Sequence, residues 1–117
     1  MAIIILRDEP TREDIRKSRE EHPDYIKITA DVDQKVLAIS GEYHADAEKV
    51  LLEKYGSLQK NIWGGGYNLL SNQIETIAII NMRNQPENRS MDILDPKIRA
   101  DFISLVSRFF SDIKSLI

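Results

Sequence analysis

The sequence predicts an α+β domain: a mostly antiparallel sheet of four to five strands in two hairpins, packed by two to three helices, the last of them long. Three observations carry this. Two pairs of β-branched apolar runs each flank a short polar turn, which is the pattern of hairpins. Between and after them, apolar residues recur at helical spacing. With 117 residues, the chain is sized for one domain, 1–117, with one real core.

Taken in order, Ile3-Ile4-Ile5-Leu6 reads as a strand buried on both faces. Asp8-Glu9-Pro10 breaks it, and Thr11 then caps a helix over 12–22, with Glu13 and Asp14 in the first turn where the helix dipole favours acids. Ile15 is the only large apolar residue of that helix, so it should lie loosely on the body. Pro23 ends it.

Tyr25-Ile26-Lys27-Ile28-Thr29-Ala30 and Val36-Leu37-Ala38-Ile39-Ser40 form the first hairpin about Asp33-Gln34-Lys35. A turn there pairs Ala30 with Leu37 and, if the strands continue, Tyr25 with Glu42. A helix over 45–55 follows from the spacing of Ala47, Val50, Leu51 and Tyr55, closed by Gly56; Val50-Leu51-Leu52 also suits a strand. The second hairpin runs over 60–70 and 73–83, turning at Ser71-Asn72. Asp95 caps the last helix, 96–116, and Pro96 occupies its first position.

Composition limits function. The chain is 42% hydrophobic and 30% charged, with a net charge of −3. The charges are interspersed, so no segment has the basic field that phosphate backbones require, and nucleic acid is not expected as a partner. Cysteine is absent, which removes disulfides, thiolate catalysis and zinc–thiolate sites. The opening apolar run is far shorter than the ~20 residues of a membrane span and carries no signal-peptide leader. No membrane association and a cytoplasmic location are expected.

Chemistry-bearing residues concentrate in Gly41-Glu42-Tyr43-His44-Ala45-Asp46-Ala47-Glu48. If the strand runs on, Glu42, His44 and Asp46 alternate onto one face. Carboxylate, imidazole and carboxylate would hold a divalent metal or pair an acid with a base, and His22 enters the sheet at the same end. The same residues also suit a solvated strand-to-helix junction. No cofactor is evident, and a divalent metal is the one that this set would take.

Ligand-binding candidates are Trp63, Arg83, Asn88 and Arg89. Trp63 and Tyr67 flank Gly64-Gly65-Gly66 and suit either a stacking surface or the core. The glycines lack the Lys-Ser/Thr and following helix of a phosphate loop; a bulge or a close backbone approach suits them better. Arg83 and Arg89 bracket the longest polar stretch, where two guanidinium groups would clamp an anion. On the last helix, Ile103, Phe110 and Ile117 recur every seven residues beside the main stripe. An apolar face that wide calls for a second neighbour, and a homodimer through this helix supplies one.

The segments Gly41–Glu48, Gly56-Ser57-Leu58-Gln59, Ile62-Trp63-Gly64, Ile80-Asn81-Met82-Arg83, Asn88-Arg89-Ser90 and Asp95-Pro96-Lys97-Ile98-Arg99 resemble, in that order, a family of short prokaryotic proteins described as a domain of unknown function. The similarity runs from about Tyr25 to the last helix, although the glycine run is richer than the family pattern. The resemblance implies a free-standing cytoplasmic protein and brings no activity, cofactor or catalytic residue. Two readings remain: a self-associating binding protein, and a metal-dependent or acid/base hydrolase around Glu42, His44 and Asp46.

Overall fold

The computed structural model describes residues 2–83 and 88–117. Asn84, Gln85, Pro86 and Glu87, the middle of the polar stretch, lie outside the described residues. In chain order the elements are β1 (Ile3–Leu6), α1 (Arg12–Arg19), β2 (Tyr25–Asp31), β3 (Val36–Ser40), α2 (His44–Lys54), β4 (Ile62–Asn68), β5 (Gln73–Glu75), α3 (Pro96–Phe109) and α4 (Ile113–Leu116). The five strands form one antiparallel sheet in the order β1-β3-β2-β4-β5. The fold is therefore α+β, as the hairpin and helix patterns require.

The first hairpin has the expected register: Ala30 faces Leu37 and Asp31 faces Val36. The buried Asp31 carboxylate sets its turn. One oxygen accepts from the amides of Asp33 (3.0 Å) and Gln34 (2.9 Å), and Lys35 takes the left-handed backbone that closes the reversal.

Alternation along the strands gives the sheet two apolar faces. Ile26, Ile28, Ala30, Leu37, Ile39, Trp63 and Tyr67 meet α3 and Ile15 of α1 on one face. Val36, Ala38 and Ile62 meet Ala47 and Leu51 of α2 on the other. β1 contributes to both, with Ile3 and Ile5 on the α2 side and Ile4 and Leu6 on the α3 side. Being the edge strand, its three isoleucines stay half-buried.

Four details differ from expectation. First, α1 is docked, not loose: Ile15 is completely buried, and Ser18, one turn on, meets Ser40 through a 2.6 Å hydroxyl contact. Two well-placed residues anchor a helix that is otherwise charged. Second, β3 stops at Ser40. Ser40 and Gly41 both have positive φ (69° and 89°), and the chain turns off the sheet before Tyr25 has a partner at Glu42. Third, the second hairpin pairs only over Gly66–Asn68 and Gln73–Glu75. Ile77 makes one isolated bridge to Asp92, and a single 3-10 turn spans Ile79–Asn81. Fourth, the terminal helix breaks at 110–112, so α4 is a separate turn that buries Ile113. Among the described residues, no helix is long and apolar enough to cross a membrane.

Candidate functional site

Because Gly41 ends the strand, helical geometry governs what the acid-rich octapeptide presents. His44 opens α2, and Glu48, four residues on, shares its side of the helix. Glu42 remains in the connecting loop and Asp46 points elsewhere; both are exposed. The alternation of Glu42, His44 and Asp46 on one strand face therefore gives way to a His44–Glu48 pair on a helix. Among the described residues, no group of three or more His, Asp or Glu side chains converges in the manner of a metal site. His22 follows α1, which packs on one face of the sheet, while His44 begins α2, which packs on the other.

The α2 face gathers three half-buried groups whose proton affinities are shifted. His44 Nε2 lies 2.8 Å from the carbonyl oxygen of Gly65. Since a carbonyl only accepts, Nε2 carries the proton and Nδ1 is the basic nitrogen. Burial holds the imidazole below its ordinary affinity for a second proton. The Gly65 carbonyl opposes that shift, and the nearby Lys27 charge adds to it. Lys27 itself donates to the backbone oxygen of Glu42. Tyr25, on the same sheet face, is pushed up to about 12 by burial and then by the charge and hydrogen bond of Glu75. Glu48 is raised by burial against the lowering pull of Arg83. Its Oε2 is buried, accepts no hydrogen bond among the described residues, and lies 3.9 Å from Arg83 Nη1.

The glycine run is the floor beneath these groups. A Cβ on Gly64 would meet Ala78 Cβ at 2.7 Å and the His44 ring at 3.0 Å. One on Gly66 would lie 2.1 Å from the Tyr25 hydroxyl, and one on Gly65 only 2.0 Å from the backbone oxygen of Glu75. The close-approach reading of these glycines is the one the packing supports: three missing side chains let a helix, a phenol ring and a neighbouring strand press onto β4.

Trp63 is buried, and its indole N–H donates to the Lys60 carbonyl at 3.2 Å. The Arg83 guanidinium lies 4.3 Å from the centroid of the Trp63 ring. It donates to the carbonyls of Ile80 and Gln59 (3.2 Å each) and to that of Ile62. Arg89 is exposed. Asn88 is buried: its Nδ2 sits within 2.8–2.9 Å of the carbonyls of Asn81, Ser90 and Asp92, and its Oδ1 accepts from the Leu94 amide at 3.0 Å. Asn81, which composition and spacing do not single out, is fully buried and bonds both backbone groups of Gly64. A buried Asn–Asn network inside a polar connection has no periodic signature in sequence. The only trace of it is the pair of asparagines themselves.

On the terminal helix, Phe110 is 3% exposed and stacks on Tyr67, with ring centroids 5.4 Å apart. Ile103 is half-buried and Ile117 is 46% exposed. Large exposed apolar side chains concentrate elsewhere. Ile77, Ile79, Met82, Met91 and Leu94 are half of those found among the described residues, and all fall on 77–94.

A family model described as "Protein of unknown function (DUF5674)" matches residues 4–109. No curated protein and no solved structure matches the chain.

Proposed function

From the premise that the chain belongs to the DUF5674 family, we propose that it is a non-catalytic interaction protein that self-associates through the exposed apolar side chains of residues 77–83 and 88–94. One observation carries this. Asn81 and Asn88 pin the segment through buried amides, and Ala78 and Ile93 are buried beside them, while Ile77, Ile79, Met82, Met91 and Leu94 face solvent at 45–76% exposure. Five large apolar side chains left in water add nothing to a connecting loop's own stability. They are what a rigid contact surface needs, because ordering costs are already met before binding. The occupant in this reading is a second copy, since closed two-fold pairs are the commonest soluble assemblies. The terminal helix, with Phe110 turned inward onto Tyr67, has less free apolar surface to offer.

Sedimentation or light scattering across a concentration series tests this. The expected result is a dimer that Ile79→Glu converts to monomer while the folded spectrum is retained. A wild-type chain that stays monomeric at the highest soluble concentration overturns the proposal.

A second reading is favoured by a different observation: Tyr25, His44 and Glu48, the three half-buried groups whose proton affinities are shifted, all lie on the α2 face. In that reading His44 Nδ1 is a general base and Glu48, on the same side of α2, an acid or metal ligand. Thermal-shift screening with divalent ions tests it, because a ligand at a hundredfold excess over its dissociation constant adds ~2.7 kcal/mol of stability. No shift with any ion in the wild type leaves the metal form of this reading without support.

A further inference from the structure

We propose that the groove between the β2–β3 turn and α3 binds a small organic anion, its apolar part on Val32, Ile98 and Leu105 and its charged group between Lys35, Lys60 and Arg108. The groove has a volume of about 660 Å³, within the ~300–1,000 Å³ range of small-molecule sites. It lies on the α3 side of the sheet, opposite the face that carries α2 and His44.

Charge selects the ligand class. Lys97 is committed to Asp101 at 3.0 Å. Of the remaining lining charges, Lys35, Lys60 and Arg108 are opposed by Asp33 alone. A local excess of cations on a chain of net charge −3 is a focused field and not a general property of the surface. The floor is apolar and incompletely covered: Val32 and Ile98 remain half-buried although Leu105 beside them is 6% exposed. An inorganic ion would leave that floor wet, whereas an aromatic or branched acid would cover it.

The walls are built before any ligand arrives. Asp31 fixes the turn through the amides of Asp33 and Gln34, and its second oxygen accepts from Gln34 Nε2 at 2.9 Å. The Val32 amide donates to the Asn61 carbonyl at 3.0 Å, which joins that turn to the segment carrying Lys60. The opposite wall is one uninterrupted helix, α3. Rigid walls spare a ligand the cost of ordering them.

The test is an amide-resolved NMR titration of the whole chain with phenyl phosphate and with benzoate, using inorganic phosphate and benzylamine as controls. The expected result is saturable shifts at Val32, Asp33, Asn61 and the α3 residues 98–108 with at least one organic anion. Inorganic phosphate should bind more weakly and benzylamine not at all. Whichever anion binds more tightly identifies phosphate or carboxylate as the preferred group. Lys60→Glu with Arg108→Glu, both exposed and so tolerated by the fold, should weaken binding at least ~10-fold. The proposal is overturned if neither anion gives a saturable, localised shift, if benzylamine binds as well, or if the charge reversal leaves affinity unchanged.

Discussion

Asn81 bonds the two backbone groups of Gly64 as a neighbouring strand would: its Oδ1 accepts from the Gly64 amide at 2.8 Å, and its Nδ2 donates to the Gly64 carbonyl at 2.9 Å. Beside it, the Arg83 guanidinium takes the Ile62 carbonyl. The open edge of β4, where β5 no longer reaches, is thus completed by side chains. This protects a glycine-rich edge from pairing with another chain and roots the 77–94 segment in the core.

Asn81→Ala should therefore be among the most destabilising substitutions in the chain. It leaves the backbone groups of Gly64, together with the Thr76 and Met91 carbonyls that Nδ2 also reaches, without that partner. At ~1–3 kcal/mol for each buried group left unpaired, a loss of about 3–5 kcal/mol is expected. Urea denaturation measures it; a loss below about 1 kcal/mol would show that water or a backbone shift replaces the amide.

The three glycines should differ in how they tolerate a methyl group. At Gly65 the new carbon would sit 2.0 Å from the Glu75 backbone oxygen, which moves only if β5 moves, so Gly65→Ala should cost at least about 3 kcal/mol. At Gly66 the obstruction is the Tyr25 ring, a side chain able to swing outward, so Gly66→Ala should cost less. Exposure of the ring, and then its departure from Glu75, should also bring the Tyr25 phenol down from about 12 toward 10. Equal stability of the two variants would contradict this account.

Tyr25 predicts an alkaline transition. Its affinity is raised in the fold, so the protonated phenol is the form that the folded state favours. Its contribution is fully present below pH 10 and is lost as pH rises through about 12. Phenolate absorbance should show a transition near pH 12 that Tyr25→Phe removes. Tyr25→Phe should flatten stability between those pH values; an unaltered slope would place the transition elsewhere.

His44 and Glu48 predict opposite signs on neighbouring turns of one helix. The depressed imidazole makes the unfolded chain the better proton acceptor, so stability is full above pH 6.5 and falls as pH drops through the lower folded value. His44→Gln should remove that acid loss. For Glu48 the fold favours the protonated carboxyl, so its charge at neutral pH is a cost that Arg83 offsets only in part. Glu48→Gln should leave stability at pH 7 unchanged or raise it by up to ~1 kcal/mol. A clear loss would mean that the Arg83 attraction outweighs burial.

The strands, the capped helices and the first hairpin's register were legible in sequence because each depends on neighbours along the chain. Thr11 and Asp95 cap their helices as the pattern requires, and a turn at Asp33-Gln34 leaves one register that buries both apolar faces. The candidate site was legible only as a neighbourhood. His44 and Glu48 share a side of α2 while Glu42 and Asp46 are left exposed, because two residues of positive φ end the strand before Glu42. Ile77 and Ile79 have strong β preference, yet neither lies in the sheet.

Local chemistry therefore determined which segments of this protein are extended, which are helical and where they turn. The tertiary structure alone decided where β5 stops, which carboxylate shares a helix side with His44, and that Asn81 and Arg83 replace a strand. Those outcomes turn on competition for the backbone groups of β4, and side chains distant in sequence can win such a contest only once packing has brought them to the edge.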